Sequence, residues 1–173
     1  LPNAVIPSAL VIDKGAVIVA GYLYANPGVK SFILNWGSDP IYLGKSSTSI
    51  FGLIKNSDGS IVAIGQSGEK LLDKNLRGKV DGFLARFVNN KLVAVQRSSD
   101  VKANRAWRTS TSSLLLGGYS NQNAVITRFA TNFQPIWTDR YPSTGSALTA
   151  ANSKGQFGAF VSNGAIKALP SWK

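Results

Sequence analysis

Cysteine, histidine and methionine are all missing from the 173 residues. Their absence excludes disulfides, thiolate or imidazole metal sites, Ser–His or Cys–His nucleophile pairs and histidine acid/base catalysis. Acidic residues are scarce, eight in all, and charged residues make up only 16% of the chain. No apolar run approaches the ~20 residues of a membrane-spanning helix. The opening Leu1-Pro2-Asn3-Ala4-Val5-Ile6-Pro7 has neither the basic start nor the long apolar stretch of a signal peptide. A hydrophobic fraction of 44% argues against wholesale disorder. The length suits one domain, 1–173.

Bases dominate the charge. Nineteen Lys and Arg against eight acids give a formal net charge of +11. Such a balance favours an anionic partner, and we expect an acidic polysaccharide or a cell-surface polymer; nucleic acid is the less favoured choice.

The chain repeats itself. Apolar strands run through Val17–Gly21, Ile61–Gly65, Leu114–Gly118 and, more weakly, Phe157–Val161. Gly21 to Gly65 is 44 residues, Gly65 to Gly118 is 53, and Gly118 to Val161 is 43. Second strands follow at Phe32–Trp36, Phe83–Phe87, Val125–Phe129 and Ala165–Leu169. Third strands close on a base at Ile41–Lys45, Leu92–Arg97 and Pro135–Arg140. A further strand fits between each base and the next unit, as in Ser49–Lys55, which is joined to its successor by the hairpin turn Asn56-Ser57-Asp58-Gly59. Four short strands per unit of about 44 residues predict an all-β fold of about four antiparallel β-propeller-type blades. Their approximate spans are 1–45, 46–97, 98–140 and 141–173. A single helical turn is conceivable at Leu71–Leu76.

Asp81-Gly82-Phe83-Leu84-Ala85-Arg86-Phe87 resembles the core motif of bacterial secreted and surface β-propeller repeat proteins, and Asn56–Gly65 resembles their hairpin. The resemblance implies a scaffold that is usually extracellular or at the cell surface. It implies no particular chemistry and no cofactor.

By the same counting the chain begins where a preceding outer strand would finish. Ala4–Ile6 is then expected to pair with the 165–169 strand, closing a four-bladed ring, or with a neighbouring chain of a larger one. Trp36, Phe87 and Phe129 share one repeat position and are expected in the core between blades. Lys45, Arg97 and Arg140 share another, where a structural role is expected.

Strand parity places a candidate site. In a four-stranded meander the loops after the second and fourth strands leave by the same face. The insertion Gly68–Lys79 carries Lys70, Lys74, Arg77 and Lys79, and the connection Ser98–Thr109 carries Lys102, Arg105, Trp107 and Arg108. Guanidinium forks beside an indole suit carboxylate, sulfate or phosphate groups on a polymer with a stackable face. The sequence therefore predicts a non-catalytic extracellular binding or adhesion module. The alternative is a structural subunit or blade segment of a larger surface or filament assembly, with open blade edges that bind other copies. A carboxylate-based glycoside hydrolase, for example through Asp81 and Asp139, is the weakest reading, because no spacing brings two acids together.

Overall fold

A computed structural model describes residues 4–97, 109–110, 115–120, 122–130, 132–145, 147–152 and 155–172. Among the described residues every regular element is a strand. No helix there is long and apolar enough to cross a membrane.

Among the described residues fifteen strands form four sheets, and each sheet is built from consecutive strands. Sheet 1 holds β1 (Val5–Asp13), β2 (Ala16–Ala25), β3 (Gly28–Asn35) and β4 (Ile41–Leu43). Sheet 2 holds β5 (Thr48–Lys55), β6 (Ile61–Ser67), β7 (Asp81–Val88) and β8 (Lys91–Arg97). Sheet 3 holds β9 (Thr109–Ser110), β10 (Leu115–Ser120), β11 (Asn123–Phe129) and β12 (Pro135–Pro142). Sheet 4 holds three strands, β13 (Leu148–Asn152), β14 (Gly155–Ser162) and β15 (Ala165–Trp172). All neighbouring strands within the sheets are antiparallel.

The first strands of successive sheets lie side by side: β1 against β5, β5 against β9, and β9 against β13. The sheets then stack face to face in chain order. Period-two alternation gives each central strand two apolar faces. In sheet 2, Ala63, Phe83, Ala85 and Phe87 pack with Ile18, Ala20 and Ile33 of sheet 1. The alternate residues Val62, Ile64 and Leu84 pack with Leu116 and Phe129 of sheet 3. Ala124 and Ile126 carry the stack onward to Phe160 of sheet 4. No closed barrel or propeller is detected among the described residues.

The amino-terminal expectation is corrected. Val5–Asp13 is not an added outer strand on the 165–169 strand; it is the first strand of sheet 1. Val5 pairs with Leu23 and Ile6 with Tyr22, while the Ala4 carbonyl accepts the Tyr24 N–H at 3.0 Å. The cause is local. Lys14 and Gly15 both take positive φ, 48° and 84°, and so close a tight hairpin onto β2. Nor does a helical turn form at Leu71–Leu76. Leu71 and Lys74 exchange backbone hydrogen bonds as an antiparallel bridge, with Leu72 at a φ of 53°.

The shared aromatic position also splits. Phe87 and Phe129 are 2% and 4% exposed, as expected of core residues, but Trp36 is 79% exposed. Phe87 and Phe129 each lie on the face that meets the preceding sheet. Among the described residues no sheet packs against Trp36.

Candidate functional site

The loop 68–80 connects β6 to β7 and crosses the end of sheet 2. Its shape is set by one carboxylate. Glu69 Oε1 accepts the backbone N–H groups of Lys45, Ser46 and Ser47 at 2.9, 3.1 and 3.0 Å, and the Thr48 hydroxyl at 2.7 Å. Residues 44–47 are the connection from sheet 1 to sheet 2, so this contact joins a second-strand loop to a fourth-strand connection on one face. Burial alone would raise the Glu69 pKa. The donors from Ser47, Thr48, Lys45 and Ser46 together outweigh it, and the carboxyl lies below its ordinary value.

The segment is fastened on both sides. Val29 donates to the Ser46 carbonyl and Gly68 to the Ser47 carbonyl, each at 2.8 Å. Gly44 makes the turn at a φ of 77°, where an added Cβ would lie 2.1 Å from Thr48 Oγ1 and 2.6 Å from Glu69 Oε1.

Beneath the loop sits a buried polar frame. The guanidinium of Arg97 donates to the carbonyls of Glu69 and Ser67. Asp81, fully buried, accepts the Arg77 N–H at 2.6 Å and the Gly78 N–H at 2.8 Å. Burial lowers the Arg97 pKa, and the charges of Asp81 and Glu69 oppose that shift. Leu71 folds inward and joins the core between sheets 1 and 2. One apolar anchor and two carboxylate clamps thus hold the loop from inside.

Lys70, Lys74, Arg77 and Lys79 are all exposed. Lys74 Nζ lies 3.8 Å from the Asp73 carboxylate. Lys102, Arg105, Trp107 and Arg108, the other half of the predicted site, lie outside the described residues. A broad hollow of about 730 Å3 opens beside the loop, lined among others by Tyr42, Lys45, Glu69, Lys70 and Leu72. Tyr42 is exposed, and Lys30 Nζ stands 4.1 Å from its ring centroid. The hollow therefore brings two cations, Lys45 and Lys70, to the edge of sheet 1 that carries Tyr42. Sequence reasoning missed Tyr42 and Lys45 as members of the site. Nothing in their spacing signals that β4 and the 68–80 loop meet.

The three repeated bases do not share an environment. Arg97 is buried and holds carbonyls of its own unit, whereas Lys45 and Arg140 are exposed. Arg86, half-buried on β7, pairs with Asp58 and donates to Ser60 Oγ at 3.2 Å. Asp58 accepts the Ser60 hydroxyl at 2.6 Å and its N–H at 2.9 Å, which hold its carboxyl below the ordinary range with help from Arg86. Two further acids have local partners: Asp13 lies 3.5 Å from Lys55 Nζ, and Asp139 hydrogen-bonds Tyr141. Burial, followed by the Asp139 charge and hydrogen bond, raises the Tyr141 pKa. No cluster of three or more His, Cys, Asp or Glu able to hold a metal occurs among the described residues.

No protein-family model matches the chain, and comparison with curated proteins finds no match.

Proposed function

We propose that the chain is a run of β-propeller-type blades serving as a non-catalytic extracellular or cell-surface binding module. Its ligand is an anionic polysaccharide or a similar surface polymer. The observation that carries this reading is the hollow lined by Lys45 and Lys70 with exposed Tyr42 at its rim. Ammonium groups attract carboxylate or sulfate, and an exposed ring packs against a sugar face. Glu69, the acid in the hollow, spends one oxygen on four donors. Asp81 and Asp58 are occupied by backbone amides or by Arg86, which supports structural over hydrolytic roles. The blade reading rests on the side-by-side first strands and the ordered stacking of sheets.

Retention on immobilised heparin tests the binding. Lys45→Ala/Lys70→Ala/Lys79→Ala is expected to elute at clearly lower salt than the parent chain. A control losing three bases that do not line the hollow, Lys14, Arg140 and Lys167, shifts less if the site is local. Equal shifts reduce the effect to net charge, and an unchanged elution of the first variant discards the site.

A second reading has its own support. Sheet 1 turns an apolar face to solvent, which suits a structural part of a larger surface assembly.

A further inference from the structure

The repeat register gives every sheet a backward face, toward the preceding sheet, and a forward face, toward the next. Ala63, Phe83 and Phe87 are backward positions of sheet 2, and Leu116 and Phe129 are those of sheet 3. Each meets a forward face: Ile18 and Ala20 from sheet 1, or Val62 and Ile64 from sheet 2. The matching backward positions of sheet 1 include Val19, Leu34 and Trp36. Leu10 joins them through its pairing with Val19, which in turn pairs with Leu34. Ile12 follows two residues along β1, on the same face. Leu10, Ile12 and Trp36 are all more than half exposed. The sequence builds this face as core, and among the described residues no sheet stacks on its Leu10, Ile12 and Trp36 end, while Leu23 and Phe32 at the other end are buried.

Sheet 4 has the complementary defect. Phe160 points back toward sheet 3, stacking on Tyr141 with ring centroids 4.8 Å apart. Its neighbour Val161 therefore points forward, together with its cross-strand partner Ile166, which is 79% exposed. Every internal contact joins a backward face to a forward face. Of the faces left over, one is backward, on sheet 1, and one is forward, on sheet 4.

We propose that two copies of this chain associate head to tail, sheet 1 of each stacking on sheet 4 of the other. The pair forms one continuous stack of eight sheets closed by a twofold axis. The inference rests on reading the sheets as successive blades; it uses neither Lys45 nor Lys70, although Tyr42 at the rim of the hollow pairs with Phe32 on this same face. Size decides between one contact and two. A sheet face eight residues long and three or four strands wide covers roughly 450 Å². One contact would bury about 900 Å² over both partners, short of the roughly 1,200–2,000 Å² of stable interfaces; two would bury about 1,800 Å². A closed pair satisfies that requirement, and it leaves no unmatched face on which a filament could grow.

The chain has no cysteine, so introduced thiols report single positions. Light scattering on the 173-residue chain should give twice 18.4 kDa. Trp36→Asp and Ile166→Asp should each give a monomer with an unchanged circular-dichroism spectrum. A Leu34→Cys protein mixed with an Ala168→Cys protein should crosslink through a flexible bis-maleimide, and neither should crosslink to itself. A parent chain that stays monomeric at 100 µM overturns the proposal. So do an open series of larger species, self-crosslinking of Leu34→Cys, or a dimer that survives Ile166→Asp. Heparin retention of the same variants is a separate readout, so either reading can fail alone.

Discussion

Glu69 Oε1 and the Ser47 N–H, 3.0 Å apart, tie the long loop of sheet 2 to the connection arriving from sheet 1. The same oxygen also holds Lys45, Ser46 and Thr48. Three successive backbone N–H groups and a hydroxyl converge on one carboxylate, and charge-assisted bonds of this kind exceed neutral ones in strength. The hollow's two cations, Lys45 and Lys70, sit directly beside these bonded residues. Their spacing thus depends on an acid that itself has no need to touch a ligand.

Glu69→Ala should therefore destabilise the fold by about 1–2 kcal/mol, because Thr48 is buried while water can replace the acceptor at exposed Lys45 and Ser47. Urea midpoints at pH 7 read this. The carboxyl's pKa is lowered in the folded state, so its contribution is complete above its unfolded value and is lost as pH falls through the folded one. Glu69→Gln should accordingly flatten the acid limb of the stability profile below the ordinary glutamate value of 4.5. An acid limb parallel to that of the parent would remove Glu69 from this role.

Arg97 and Asp81 are buried together beneath the loop. Removing one member of a buried charged set strands the other and costs roughly 3–5 kcal/mol. Arg97→Met should reach that range. Asp81→Asn added to Arg97→Met should cost less than the sum of the two single changes, since the stranded charge is gone. Strict additivity in denaturant melts would contradict the coupling.

The strand repeat was legible because its markers have steric causes. Asp58 at the predicted turn binds Ser60 as turn chemistry requires, and Phe87 and Phe129 are buried at equivalent positions. The first strand was missed because the Lys14–Gly15 hairpin is a two-residue signal, weaker than the apolar pattern around it. Trp36 was misplaced for a different reason. A repeat position predicts burial only where a neighbouring sheet exists. In the candidate site the bases of the 68–80 loop could be read from charge, whereas Tyr42 and Lys45 enter through a contact between sheets that no periodicity encodes.

The small residues that end the repeat strands make the sharpest steric test. Gly65 lies in the buried interior of β6, opposite the irregularity between Ile50 and Gly52 in β5. That irregularity presses backbone onto it: an added Cβ would stand 2.0 Å from the Ser49 carbonyl oxygen. Gly21 repeats the arrangement in sheet 1, facing the Pro7/Ala9 irregularity, with the Ile6 carbonyl oxygen 2.1 Å from the same ideal position. Neither obstacle is a flexible side-chain end, so strand pairing itself must shift. Gly65→Ala should thus cost about 3 kcal/mol or more, at the upper end of overpacking penalties. Gly59 provides the contrast. It takes a φ of 83° but has nothing within 4 Å of a would-be Cβ, so Gly59→Ala carries only the left-handed backbone strain, roughly 1–2 kcal/mol. Urea denaturation of Gly21→Ala, Gly65→Ala and Gly59→Ala should place the first two together and well below the third. If Gly65→Ala were as mild as Gly59→Ala, the close strand crossing would not be what keeps glycine at the end of the repeat strand.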